Sequence, residues 1–225
     1  MPSTKIGVFD SGIGGLSVVR AIERALPEHE VVFRNDSKHV PYGTRPTDEI
    51  LGFVLPIFQA LVDAGCGVIV VACNTVSTTL IGELRGAFDI PLVAVEPMVK
   101  AAADLTVSGI IAVCATPNTL QSDRYRYLKA TYATGLTVLE PDCRDWSTMI
   151  EQQSIDERKI ADRITEVLDQ KADVIVLGCT HFHWIEADIM QLSTGRASVI
   201  QPELAIIKQL KRVLGLASKY DYSAN

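Results

Sequence analysis

The 225-residue chain contains no CxxC pair, no histidine-rich tract and no apolar run of transmembrane length. Each absence removes a class of function. Five cysteines, at 66, 73, 114, 143 and 179, form an odd set whose spacing fits neither a disulfide framework nor a structural zinc site. No stretch is long enough for a membrane helix, and the opening MPSTKIGVFDSG lacks the apolar core of a signal peptide. Basic residues are in deficit, with 21 Lys and Arg against 27 Asp and Glu and a formal net charge of −6. That balance argues against nucleic acid or an anionic membrane as a partner. The expectation is a cytoplasmic protein with reduced thiols, acting on a small molecule.

Aliphatic residues are plentiful, and their runs alternate with amphipathic stretches. The runs predict strands near 5–9, 30–33, 67–72, 91–94, 109–114, 136–139, 173–178 and 198–200. The amphipathic stretches predict helices near 14–26, 47–64, 76–88, 97–104, 117–132, 157–170, 184–192 and 202–216. Strands as apolar as VIVVA suit parallel sheets covered by helices on both faces, so the fold class is α/β. The pattern comes round twice. GVFDSG and VIVVACNT in the first half answer to IIAVCATPNT and VIVLGCTH in the second. This weak repeat predicts two similar lobes, 1–96 with the C-terminal helix 202–216, and 97–201. Residues 218–225, polar throughout, read as a frayed end.

Ligands of open parallel sheets bind beyond the carboxyl ends of the strands, and the polar clusters stand there. Cys73 and Cys179 each follow a strand and precede a predicted helix, whose N-terminal field favours a thiolate. A lone cysteine is usually a buried apolar residue, which is the reading for Cys66 (in a loop), Cys114 and Cys143. Two cysteines in matched settings suggest acid–base work on both sides of one substrate, ahead of a metal site or a redox pair. Asp10 and Ser11 begin a glycine-rich turn that approaches an anion or, equally, forms a plain tight turn with Asp10 as a helix cap. The turn lacks the third glycine of a dinucleotide fingerprint, since Ser17 stands there. In VPYGT, Tyr42 and Gly43 offer a phenol and a backbone N–H. Thr116 and Thr119 are hydroxyl donors or helix caps, His181 is a proton partner for Cys179 or a structural histidine, and Glu151 reads as a surface glutamate.

Taken together, DSGIGGLSV, VPYGT, VVACNT, Glu96-Pro97, ATPNTLQSDRY and VLGCTH resemble, in order and spacing, the glutamate racemases of the cofactor-independent aspartate/glutamate racemase superfamily. The resemblance runs from about residue 5 to about residue 200. It implies two pseudo-symmetric α/β lobes with the active site between them, a homodimer, and no metal or cofactor. It also implies interconversion of L- and D-glutamate, with the D-isomer used for peptidoglycan. Cys73 then serves the D-isomer and Cys179 the L-isomer. Asp10 assists Cys73, while His181 with Glu151 assists Cys179. Ser11, Tyr42, Gly43, Asn74, Thr75, Thr116, Thr119 and Thr180 match substrate-binding positions. Aspartate or another acidic amino acid as substrate, and a silent binding homologue, are the alternatives. The chain departs from the family pattern at Arg34, Lys38 and His39, at His183 where a proline is common, and at Gln201.

Overall fold

The computed structural model describes residues 4–216, so the expectation for 218–225 lies outside the described residues. The aliphatic runs become eight strands: β1 (Lys5–Asp10), β2 (Val31–Asn35), β3 (Cys66–Val71), β4 (Leu92–Ala94), β5 (Ile110–Ala115), β6 (Thr137–Leu139), β7 (Val174–Gly178) and β8 (Ser198–Ile200). They form two four-stranded parallel sheets with the same order, β2-β1-β3-β4 and β6-β5-β7-β8. The central strands are buried on both faces, which explains why β3 and β7 show no polar alternation.

Helices cover both faces: α1 (Leu16–Ala25), α2 (Thr47–Asp63), α3 (Asn74–Thr79), α4 (Ile81–Ala87), α5 (Val99–Leu105), α6 (Pro117–Gln121), α7 (Asp123–Tyr132), α8 (Trp146–Glu151), α9 (Glu157–Asp169), α10 (Glu186–Ser193) and α11 (Glu203–Val213). In α2, Ile50, Val54, Phe58 and Leu61 fall at spacings of three and four and are fully buried against the first sheet. Each such side chain stabilises the fold by about 1.5–3 kcal/mol. In α9, the Asp156 carboxylate accepts from the Lys159 N–H at 3.0 Å, and Ile160, Ile164, Val167 and Leu168 form the inward face.

Several predicted helices are corrected. The one expected over 76–88 is two, broken at Leu80, because Thr78 and Thr79 turn their hydroxyls back on the carbonyls of Asn74 and Thr75. The one over 117–132 breaks at Ser122, which is extended and caps α7 by accepting from Tyr125 N–H at 3.1 Å. The helix expected from residue 14 starts as a 3-10 turn, Ile13–Gly15, and the one at 184–192 is preceded by another, Thr180–Ile185. α8 was not anticipated at all, and Cys66 opens β3 instead of lying in a loop.

The linker between the sheets spans residues 95–98, where Glu96 accepts from Arg124 of α7 at 2.7 Å. α11 follows the second sheet but packs on the first: Ile206 and Leu210 share one apolar cluster with Ile6, Val18, Val68 and Val93. In each sheet the connections leave in opposite directions from the central pair, β1/β3 and β5/β7. These two switch points face each other across the lobes, and their strand ends carry the polar motifs.

Candidate active site

Four strand ends deliver the chemistry. Asp10 ends β1, Cys73 follows β3, Thr116 follows β5 and Cys179 follows β7. Cys73 and Cys179 line one buried cavity together with Ser11, Tyr42, Gly43, Asn74, Thr75, Thr116, Thr180 and His181. Its volume is about 10 Å³, the space of a single water molecule. Pro41 and Ser147 complete the wall.

On the first lobe, Cys73 Sγ lies 3.6 Å from Ser11 Oγ, to which it donates. Asp10 is fully buried. Its Oδ2 accepts from Gly12 N–H (3.2 Å) and Gly15 N–H (2.9 Å), and its Oδ1 accepts from Thr180 Oγ1 of the other lobe (3.0 Å). Asp10 is thus both the cap of its own turn and a link across the cleft. Burial pushes its carboxyl up, against the opposing pull of His181 and the two backbone N–H groups. Cys73 is pushed up to about 12, first by burial and then by the charge of Asp10. The expected thiolate-favouring helix field therefore loses at Cys73, because α3 is only six residues long and the thiol is buried.

On the second lobe, Cys179 Sγ lies 3.8 Å from His181 Nδ1, and His181 Nε2 lies 2.6 Å from Glu151 Oε1. Burial alone would lower the histidine; Cys179, Glu151 and Asp10 outweigh it and hold His181 up at about 10. Glu151 also feels burial, yet His181 and the Ile13 N–H, 2.7 Å away, keep its carboxyl below the usual range. Glu151 is therefore no surface glutamate: its side chain is 13% exposed and reaches both lobes. α8 explains this, since Ser147 and Glu151 stand four apart and share one face of that helix.

The hydroxyls form a chain across the seam. Thr75 Oγ1 and Thr116 Oγ1 are 3.0 Å apart, and Thr116 Oγ1 donates to Thr119 Oγ1 at 3.1 Å. Thr116 also caps α6, so both of its expected roles coexist; Thr119 is buried behind it and supports it from outside the cavity wall. Both polar atoms of the Asn74 side chain are buried without a partner among the described residues. Such a group is costly unless a ligand satisfies it. The Tyr42 phenol is already engaged: it donates to Asp36 Oδ2 at 2.6 Å, and burial with Asp36 pushes its ionisation far up.

Glycine sets how closely the lobes approach. A Cβ on Gly12 would sit 1.7 Å from Glu151 Oε1, one on Gly14 2.5 Å from His181 N, and one on Gly43 2.7 Å from Thr116 Cβ. The second seam is tied by Asn118, whose Nδ2 donates to Tyr42 O (2.9 Å) and Arg45 O (2.8 Å) and whose N–H donates to Gly43 O (2.9 Å).

Sequence reasoning passed over Ser147, Asp36 and Asn118. The spacing of Ser147 from Glu151 was a usable signal once a helix was assigned there; nothing in the sequence marked the other two. Among the departures, His39 Nδ1 lies 2.9 Å from Asp36 and its ring stacks on Phe53 at 3.8 Å. Arg34 and Lys38 are exposed. His183 and Gln201 meet around Glu203. All five cysteines are free and buried. Among the described residues, no group of three or more His, Cys, Asp or Glu is placed to hold a metal ion, and no helix is long and apolar enough to cross a membrane.

Comparison with known proteins gives the chain's family. Residues 6–210 match the Asp/Glu/Hydantoin racemase family model. The glutamate racemase of Methylococcus capsulatus is 35% identical over 213 residues, covering 93% of this chain and 79% of its own length. That of Pseudomonas aeruginosa is 36% identical over 217 residues, covering 94% and 82%. The crystal structure of Escherichia coli glutamate racemase in complex with L-glutamate superposes with a TM-score of 0.86 at 28% identity, over 100% of this chain and 87% of that one. Picrophilus torridus aspartate racemase, at 19% identity and a TM-score of 0.61, shares the fold. With its two switch-point cysteines in one cavity, the chain belongs to the Asp/Glu/Hydantoin racemase family.

Proposed function

We propose that the protein interconverts L- and D-glutamate by proton transfer at Cα between Cys179 and Cys73, using no metal or organic cofactor. One observation carries this reading: two thiols, at equivalent strand ends of two equivalent lobes, open on the same small polar cavity. The curated relatives at 33–36% identity are glutamate racemases, which favours glutamate over aspartate.

In the L-to-D direction, His181 presents a positive charge to Cys179 Sγ, 3.8 Å from its Nδ1, and Cys179 acts as the base. The thiolate takes the Cα proton of L-glutamate. The electron pair left on carbon spreads into the α-carboxylate, where Ser11 and the free amide of Asn74 supply donors, and where the hydroxyls of Thr75, Thr116 and Thr180 join them by turning from their partners Thr116, Thr119 and Asp10. Thr119 holds Thr116 in place, and Tyr42 and Gly43 shape the wall. Cys73, kept as a thiol by burial and by Asp10, gives its proton to the opposite face and completes D-glutamate. Cys73 is then the thiolate and Cys179 the thiol, the state required for the reverse reaction. Glu151 holds His181 in its charged form. The D-glutamate would feed peptidoglycan assembly, in a cytoplasmic homodimer.

Incubation in D₂O with L-glutamate, and separately with L-aspartate, tests the reading. Loss of circular dichroism together with Cα deuteration is expected with glutamate. No exchange with either substrate under reducing conditions would sink it, and exchange with aspartate alone would move the specificity to the shorter diacid. Analytical ultracentrifugation checks the dimer.

A further inference from the structure

The turn that carries His181 holds a second buried histidine two residues on. The His183 side chain is 2% exposed and does not line the cavity. Its Nδ1 lies 2.7 Å from Ser17 Oγ in the first turn of α1, and 3.6 Å from Glu203 Oε1 at the start of α11. The single proton of the Ser17 hydroxyl is donated to Gly14 O at 3.1 Å. In that arrangement the Ser17 oxygen accepts towards His183 and Nδ1 carries the hydrogen, the tautomer that also suits the Glu203 carboxylate, which Ser17 reaches as well. The Glu203 carboxylate faces the same N–H, and its backbone N–H is held by Gln201 Oε1 at 2.8 Å. His183 Nε2 is buried with no partner among the described residues.

Three separate parts of the chain meet at this ring: α1 of the first lobe, the 180–185 turn of the second, and α11, which crosses back to pack on the first sheet. The carbonyl that Ser17 holds belongs to Gly14, whose α-carbon leaves no room for a Cβ beside the His181 backbone. The cluster thus grips the turn twice, through His183 and through Gly14.

We infer that His183 is a positioning residue: pinned by Ser17 and Glu203, it fixes the 180–185 turn against the first lobe so that His181 meets Cys179 and Glu151 together. The inference rests on the site reading proposed above, but it concerns geometry that can be measured without turnover. His183→Asn keeps an N–H donor near the Nδ1 position, His183→Phe keeps a flat ring without one, and Glu203→Gln removes only the charge.

Two measurements decide it. In ¹⁵N–¹H spectra of the ligand-free protein, the His181 ring signals should match wild type in His183→Asn, move in His183→Phe, and move less in Glu203→Gln. In Cα exchange, His183→Phe should lose about 10- to 100-fold in kcat/KM, mostly in kcat, as small misplacements of a catalytic group do. His183→Asn should restore most of that loss, and the loss should vanish in a His181→Asn background. An unmoved His181 signal in folded His183→Phe, or an equal loss in the His181→Asn background, overturns the inference. If His183→Phe does not fold, the Asn and Gln variants decide, and unmoved signals in Glu203→Gln overturn it. Should wild type show no exchange with glutamate, that reading falls while the spectra still judge the clasp.

Discussion

Around Cys73 a carboxylate and a hydroxyl gather at full burial; around Cys179 an imidazole gathers, backed by a second carboxylate. The strand order is the same on both sides, yet the electrostatics are opposed. Burial and Asp10 hold the first thiol protonated, whereas His181 sets a positive charge beside the second. A duplicated frame has been furnished differently in each half. The two-thiol racemisation proposed above uses that difference, because at any instant it has one thiol holding a proton and the other lacking one.

Breaking either half outright gives the largest effect. Cys73→Ser and Cys179→Ser should each lower racemisation by about 10³-fold or more, since a serine hydroxyl is a far weaker acid and is not ionised at neutral pH; retained racemisation, followed by circular dichroism from either enantiomer, would refute the two-thiol assignment. Forcing the halves apart comes next. Gly12→Ala places a methyl on Glu151 and His181, and a fall of about 10²-fold in kcat/KM is expected, against none for Gly52→Ala, where a Cβ meets nothing within 4 Å.

A subtler test removes only the backing carboxylate. Without Glu151, His181 loses one of the partners that raise it, so in Glu151→Gln the alkaline limb of the pH–rate profile should move to lower pH. A limb that stays put would detach His181 from that titration. The same histidine predicts a pH-dependent stability. Its folded value, about 10, lies above the ordinary 6.5, so its contribution is complete below about pH 6.5 and is lost as pH rises towards 10. The melting-temperature gap between wild type and His181→Asn should narrow across that window; a constant gap would contradict it. Smallest of all, Gly52→Ala in α2 should stabilise by about 0.5–1 kcal/mol in urea titration.

All eight strands were legible because an aliphatic run buried on both faces has few other ways to exist. Helix lengths were less so: Ser122 and the threonines of α3 break their helices by side-chain bonds to backbone that periodicity does not register. The matched cysteines pointed to the site, and the motif resemblance supplied the rest of the residues around it. Glu151 shows what the residues alone missed. In WSTMIEQQ it reads as a solvated carboxylate, and only the placement of α8 turns it towards Ile13 and His181. Asn118 is similar, because its value lies in two carbonyls more than 70 positions away.

The two seams of the cleft will not yield alike. Gly14 rests on the backbone of Thr180 and His181, and Gly12 on the side chains of Glu151 and His181, without space for a methyl group, which gives that edge the character of a book's spine. Around Asn118 the lobes are joined by hydrogen bonds that water can replace one for one at modest net cost. A cavity with space for one water cannot admit an amino acid while shut. An amino acid therefore has its entry at the edge of exchangeable bonds, where only the Gly43–Thr116 contact is as close as those of the spine.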